Sequence, residues 1–123
     1  EWNDEDVIDN FASLFGEEET YKYMEMPHQQ KRSMIADRVL VDGEDVGVAT
    51  MRGYSYYFRK MLSLCTIDVE HSDVATAVTV LWGEGENPAS PTVEDHVQQE
   101  VRATVARTPY KEDRRRANLA ESE

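Results

Sequence analysis

A chain of 123 residues is the size of a single domain, because two separate cores would each be marginal at this length. Hydrophobic residues make up 40% and the mean hydropathy is -0.66; no apolar run approaches the roughly 18 residues a membrane-spanning helix requires. Lys and Arg total 13 against 25 Asp and Glu, a net charge of -12, which repels phosphates and argues against nucleic acid as a partner.

Cys65 is the only cysteine, so neither an internal disulfide nor a cysteine-based zinc site can form, and a reducing cytoplasmic setting is expected. The start, Glu1-Trp2-Asn3-Asp4, carries no basic and apolar leader and no initiator Met, which reads as a fragment of a longer chain. Nine arginines against four lysines in an acidic chain also suit a salt-adapted surface.

In chain order, Val7, Ile8, Phe11, Leu14 and Phe15 recur at helical spacing, with Asp4, Glu5, Asp6, Asp9 and Asn10 between them. The spacing predicts an amphipathic helix over 4–15. Asn3 is its N-cap, Trp2 is placed to staple onto Val7, and Gly16 is its stop. The stretch from Glu17 to Pro27 reads as an exposed turn and an extended connector. From Arg38 the period changes to two: Val39-Leu40-Val41 and Val46-Gly47-Val48-Ala49-Thr50-Met51 flank Asp42-Gly43-Glu44-Asp45, a strand, turn and strand.

Gly53-Tyr54-Ser55 is expected to interrupt the next run, after which 61–67 reads as a buried strand, and 77–82 and 101–106 as two more. Val48, Leu64, Val80 and Val105, central in these strands, are expected to share one core. No repeat of 20 to 50 residues is visible. The predicted fold class is mostly β: a small antiparallel β-barrel with one N-terminal helix, divided into helix and connector (1–30), barrel (31–110) and charged tail (111–123).

Candidate chemistry is sparse. His28, His71 and His96 are far apart and form no ligand pair, so no metal site is expected. Cys65, inside an apolar strand, reads as a small buried hydrophobe with a raised pKa. Asp42-Gly43-Glu44-Asp45 lacks the alternating ligands of a calcium loop, and the glycines form no phosphate-binding loop. The acidic stretch 84–95 and the Arg114-Arg115-Arg116 run read as solvated loop and tail. One segment stands apart: Arg52-Gly53-Tyr54-Ser55-Tyr56-Tyr57-Phe58-Arg59-Lys60 gathers three tyrosines and local positive charge in an acidic chain. Such a loop can offer stacking faces and charged donors to an anionic aromatic ligand, but the plainer reading is a strand connection whose aromatics cap the core while its cations pair with nearby acids.

Gly43-x-x-Val46-Gly47-Val48-Ala49-Thr50, then Gly53-Tyr54-Ser55, a basic pair, the 61–67 strand and the ending Ala103-x-Val105-x-x-x-Pro109-Tyr110 together resemble the C-terminal barrel of the glycine-cleavage T-protein (aminomethyltransferase) family. Thr50-Met51-x-Gly53-Tyr54-Ser55-Tyr56, Leu81-Trp82-Gly83-Glu84 and Pro91-Thr92-Val93-x-x-His96-Val97 are more similar to its tetrahydrofolate-dependent O-demethylases of the vanillate and syringate type. The resemblance implies a one-carbon transferase whose tetrahydrofolate and small-molecule methyl donor sit mainly in upstream folate-binding domains, with this barrel closing the site. It implies no catalytic residue here, Tyr54, Tyr56 and Arg59 as substrate- or folate-facing side chains, no activity from this chain alone, and self-association through apolar surface that once packed on neighbours. The other functional class left open is a free-standing barrel that binds a small ligand or a partner protein through its aromatic loop.

Overall fold

A computed structural model of the chain describes residues 1–24, 36–83 and 96–107. Helix α1 (Asp4–Ser13) precedes strands β1 (Asp37–Val41), β2 (Glu44–Ser55), β3 (Lys60–Ile67), β4 (Ala77–Trp82) and β5 (Gln99–Thr104), with a 3-10 turn at Val69–His71 after β3. The strands form one antiparallel sheet in the order β3-β2-β1-β4-β5. This is a curled half-barrel, mostly β with one N-terminal helix, as the periodicity predicts.

The residues explain the shape. Asp42 and Gly43 both take positive φ, 51° and 79°, the pair of left-handed residues that lets a two-residue hairpin follow the twist of its strands. The sheet then curls until its two edge strands flank the N-terminal segment. The Trp2 amide donates to the Met61 carbonyl of β3 at 2.9 Å, while the Asn3 and Thr104 amides bond to the carbonyls of Arg102 and Glu1 across β5 at 2.8 and 2.9 Å. Trp2 Nε1 also donates to Ser63 Oγ at 3.0 Å. Residues 1–3 therefore bridge both edges, and Trp2 is buried among Met24, Val39, Val80, Trp82 and Val101 in the core.

Several expectations are corrected. α1 is capped by Asn3 Oδ1, which accepts from the Asp6 amide at 3.1 Å, but it ends at Ser13 rather than at 15. Its buried residues are Asp6 and Asn10, while Ile8 and Phe15 of the supposed apolar face are exposed. Polar side chains face inward because each has partners there. Asp6 accepts from Arg102 Nη2 at 2.7 Å and Nε at 3.0 Å, and Asn10 Nδ2 donates to Gln99 Oε1 and to the Lys22 carbonyl, both at 2.8 Å. Among its described residues, 17–24, the connector after α1 forms no helix or strand beyond an isolated bridge from Tyr21 to Val97, yet it buries Lys22 and Met24.

Gly53-Tyr54-Ser55 does not interrupt the run: β2 continues through it, with a register shift between Thr50 and Gly53 where Met51 has φ 50°. The shared core of Val48, Leu64, Val80 and Val105 does not form as expected. Val80 is buried and Val105 packs against the core, but Val48 is 38% exposed and Leu64 54%. The cause is an extra residue in β2: Val39 pairs with Gly47 and Leu40 with Asp45, so Val46 and Ala49 both face inward and Val48 turns outward. Its neighbours Thr66 and Leu64 on β3 turn outward with it, since a bulge re-aims every side chain beyond it.

Leu64→Ala is therefore expected to cost less than about 1 kcal/mol, against about 2–4 kcal/mol for Val101→Ala at a fully enclosed site; urea unfolding of both variants checks the assignment of faces. Gly47→Ala is expected to be worse than the surface change at Leu64. A Cβ there would lie 2.2 Å from the Thr66 carbonyl oxygen and 2.9 Å from the Ile67 Cα, backbone atoms that cannot move aside without parting β2 from β3. A loss of at least about 2 kcal/mol in the same assay is the expected result.

Candidate functional site

The β2–β3 hairpin presents the aromatic segment. Tyr54 lies in β2 opposite Met61 and packs against the core. Tyr56 and Tyr57 project from the turn, 77% and 74% exposed. The Arg59 guanidinium sits 5.6 Å from the centre of the Tyr56 ring, and Tyr57 meets Phe58 edge to face at 4.8 Å. The Phe58 amide donates to Ser55 Oγ at 3.2 Å, and Arg59 turns the chain with φ 55°. Of the three residues singled out from sequence, the structure thus brings Tyr56 and Arg59 together at the tip and keeps Tyr54 at the root.

Beneath that root lies a group of charges that sequence reasoning missed. Arg52 and Lys22 are buried, and their cations lie 5.1 and 5.3 Å from the centre of the Trp82 ring. Arg52 Nη1 also contacts Met61 Sδ at 3.1 Å. The Asp37 carboxyl, buried beside them, is pushed up to about 6 by desolvation, against the pull of Lys22, Arg52 and the Gly83 amide toward the charged form. Trp82 Nε1 donates to the Lys22 carbonyl at 2.7 Å. An aromatic face is one of the few environments that compensates a cation removed from water, which is how two such cations share one ring. The legible signal was an arginine set inside an apolar strand run; the buried lysine of the connector carried none.

A cavity of about 580 Å³ opens on the concave side of the sheet. Its walls include Trp2, Val39, Ala49, Val78, Val80 and Ala103. Cys65, expected to be buried, is exposed and lines this cavity; its register partner is the inward-facing Ala49. Partial desolvation pushes its thiol pKa up, which keeps it a weak nucleophile. Among the described residues no group of three His, Cys, Asp or Glu side chains is arranged to hold a metal ion, and no helix is long and apolar enough to cross a membrane. His28, the acidic 84–95 stretch and the basic run at 114–116 lie outside the described residues.

No protein-family model matches the chain. It is similar to the syringate O-demethylase of a Sphingobium strain, 43% identical over 109 residues that make up 88% of this chain and 24% of that protein. It is also similar to the sesamin methylene transferase of a Sinomonas strain, 38% identical over 119 residues, 89% of this chain and 24% of that protein. The chain spans about a quarter of the length of these curated relatives, and its similarity is to a part of an O-demethylase and of a methylene transferase.

Proposed function

We propose that this chain is the C-terminal barrel of a tetrahydrofolate-dependent enzyme that takes a one-carbon group from an aromatic ether. The observation that carries the reading is that nearly the whole chain aligns with two proteins named for removing a methyl or transferring a methylene group. In this reading the folate-binding domains of a longer parent, working in the cytoplasm, hold donor and acceptor. The β2–β3 hairpin supplies one wall.

The residues suit that limited part. The Tyr56 ring with Arg59 beside it offers a stacking face and a cation for a carboxylate, such as those of a methoxybenzoate or of the folate glutamate tail. The concave cavity does not suit a folate: its lining is predominantly aliphatic and aromatic, whereas a pterin ring presents several donors and acceptors that each need a partner. When bound, tetrahydrofolate supplies the one-carbon acceptor. Chemistry of this kind also needs a positioned proton donor and a site enclosing both reactants, and the described residues bring together no such donor and enclosure.

The test follows product formation from a methoxy-aromatic acid, with and without tetrahydrofolate, by chromatography. The 123-residue chain alone is expected to give no product. Joined to folate-binding domains it is expected to turn over, and Tyr56→Ala or Arg59→Ala should lower that rate about tenfold, the equivalent of about 1.4 kcal/mol, with unchanged circular dichroism. Turnover by the isolated chain would overturn the division of labour. Unchanged rates in both variants would return the hairpin to a surface turn.

A further inference from the structure

The concave cavity has the size and the lining of a small-molecule site. Its volume, about 580 Å³, falls within the range of about 300–1,000 Å³ that ligand pockets occupy. Val39, Ala49, Val78, Val80 and Ala103 form its floor, and space walled in this way holds water poorly and takes up apolar groups. The β3 wall from Leu62 to Ile67 extends about 16 Å at the rise of a strand. With bonds of about 1.5 Å, an extended alkyl chain of about ten carbons and its head group fill that length, whereas a single aromatic ring leaves most of it empty.

The polar side chains of the wall define the rest of the ligand. Ser63 Oγ already accepts from Trp2 Nε1 at 3.0 Å, and Ser72 Oγ donates to the Val69 carbonyl at 2.7 Å. The Glu1 carboxylate lies 3.7 Å from Lys60 Nζ. Arg107, exposed beside the same cavity, is paired with no acid among the described residues. A ligand with polar groups along its body would bury them against aliphatic walls at a cost, and a cationic head would meet Arg107 as a like charge. An apolar body ending in an anion suits both the floor and the rim.

We propose that the concave cavity binds an aliphatic monocarboxylate of about ten carbons, its chain lying along Val39, Ala49, Val78 and Val80 and its carboxylate paired with Arg107. Neither Tyr56 nor Arg59 lines this cavity, and the proposal does not rest on the one-carbon reading. Burial of the chain supplies most of the affinity. The exposed ion pair contributes less and sets which head group is accepted. A bound chain also covers the exposed Cys65 thiol, which lines the same wall.

The test is equilibrium dialysis of the full chain against decanoate, decanol and a dimethoxybenzoate, with no folate present, together with the rate at which iodoacetamide alkylates Cys65. Decanoate is expected to bind at least about tenfold more tightly than the dimethoxybenzoate and, at saturation, to slow alkylation at least about fivefold. Arg107→Gln should weaken decanoate about threefold to fivefold and leave decanol within about twofold. Cys65→Phe, which fills the cavity from an exposed position, should weaken both at least about tenfold with unchanged circular dichroism. The proposal is overturned if decanoate shows no saturable binding below about 1 mM, or if it binds and leaves the alkylation rate unchanged, which places it elsewhere. Equal decanoate affinity in the unaltered chain and in Arg107→Gln would also overturn it, as would a dimethoxybenzoate that binds as tightly as decanoate, which assigns the cavity to an aromatic acid. Alkylation that slows with rising protein concentration in the absence of decanoate would give the cavity to a second copy and overturn it as well.

Discussion

Trp82→Ala is expected to cost about 3–5 kcal/mol, with an unfolding midpoint in urea well below that of the unaltered chain. The size follows from how many interactions converge on one ring. Trp82 is 2% exposed and meets Trp2 edge to face at 5.9 Å, the aromatic geometry that adds about 0.5–1.5 kcal/mol to burial alone. It also supplies the faces against which Lys22 and Arg52 rest, and losing it would leave two cations in a cavity instead of on an electron-rich surface. Trp82→Phe separates these contributions. It keeps a ring for the cations and for Trp2 but deletes the indole N–H that bonds to the Lys22 carbonyl. Since that carbonyl still accepts from Asn10, the hydrogen-bond share should be small, about 0.5–1.5 kcal/mol. A Trp82→Ala loss no larger than that of Trp82→Phe would show that ring burial and the cation contacts contribute nothing.

This cluster also marks the limit of what the sequence revealed. The helix cap at Asn3, the turn at Asp42-Gly43 and the positions of all five strands follow from local chemistry: an acceptor before an acidic first turn, two residues tolerant of positive φ, and apolar alternation. What local chemistry does not encode is which face of a strand turns inward once a bulge intervenes. The extra residue at Val46 decided that for Val48 and Leu64, and only the pairing with β1 and β3 shows it. The same holds in part for α1, whose apolar pattern named Val7, Ile8, Phe11, Leu14 and Phe15 as its inner face: Val7 and Phe11 do pack against the core, but Ile8 and Phe15 are exposed. Asp6 and Asn10 took that place because Arg102 and Gln99, nearly a hundred residues away in sequence, complete their hydrogen bonds.

The candidate site divides in the same way. Tyrosines next to arginine in an acidic chain were visible as composition, and the pairing of Tyr56 with Arg59 is local to one turn. Lys22 gave no signal, because a lysine in a connector is ordinarily solvated. Its burial depends on Trp82, sixty residues further on. Trp2 read as a helix staple, and Val7 does pack against the cluster that contains it. Its larger role, joining the two edges of a sheet, arises from strand order, which no window of sequence contains.

Stability between pH 4 and 7 should depend on Asp37, and the direction is the reverse of that for a carboxylate held by an ion pair. Its pKa rises from 3.8 in the unfolded chain to about 6 in the fold, with burial as the largest cause. Between those values the folded state holds a proton that the unfolded state has released, so stability falls as pH rises through the window. At about 1.4 kcal/mol per pKa unit, the cost of ionising Asp37 in place amounts to about 3 kcal/mol at pH 7. Asp6 behaves oppositely: the Arg102 guanidinium lowers its pKa, so its contribution is present above the unfolded value and fades only in more acid solution, outside this window. Asp37→Asn isolates the effect, because every other group titrates alike in both proteins and cancels in their difference. The variant is expected to gain on the unaltered chain steadily from pH 4 to pH 6.5, by about 3 kcal/mol in total, measured by urea unfolding at each pH. Arg52→Met adds a second constraint. Removing one of the two cations that favour ionised Asp37 should push its pKa higher still and move the upper end of the window above pH 6. A difference between Asp37→Asn and the unaltered chain that stays constant with pH would mean that Asp37 ionises as freely in the fold as in water, and that Lys22 and Arg52 offset its burial in full.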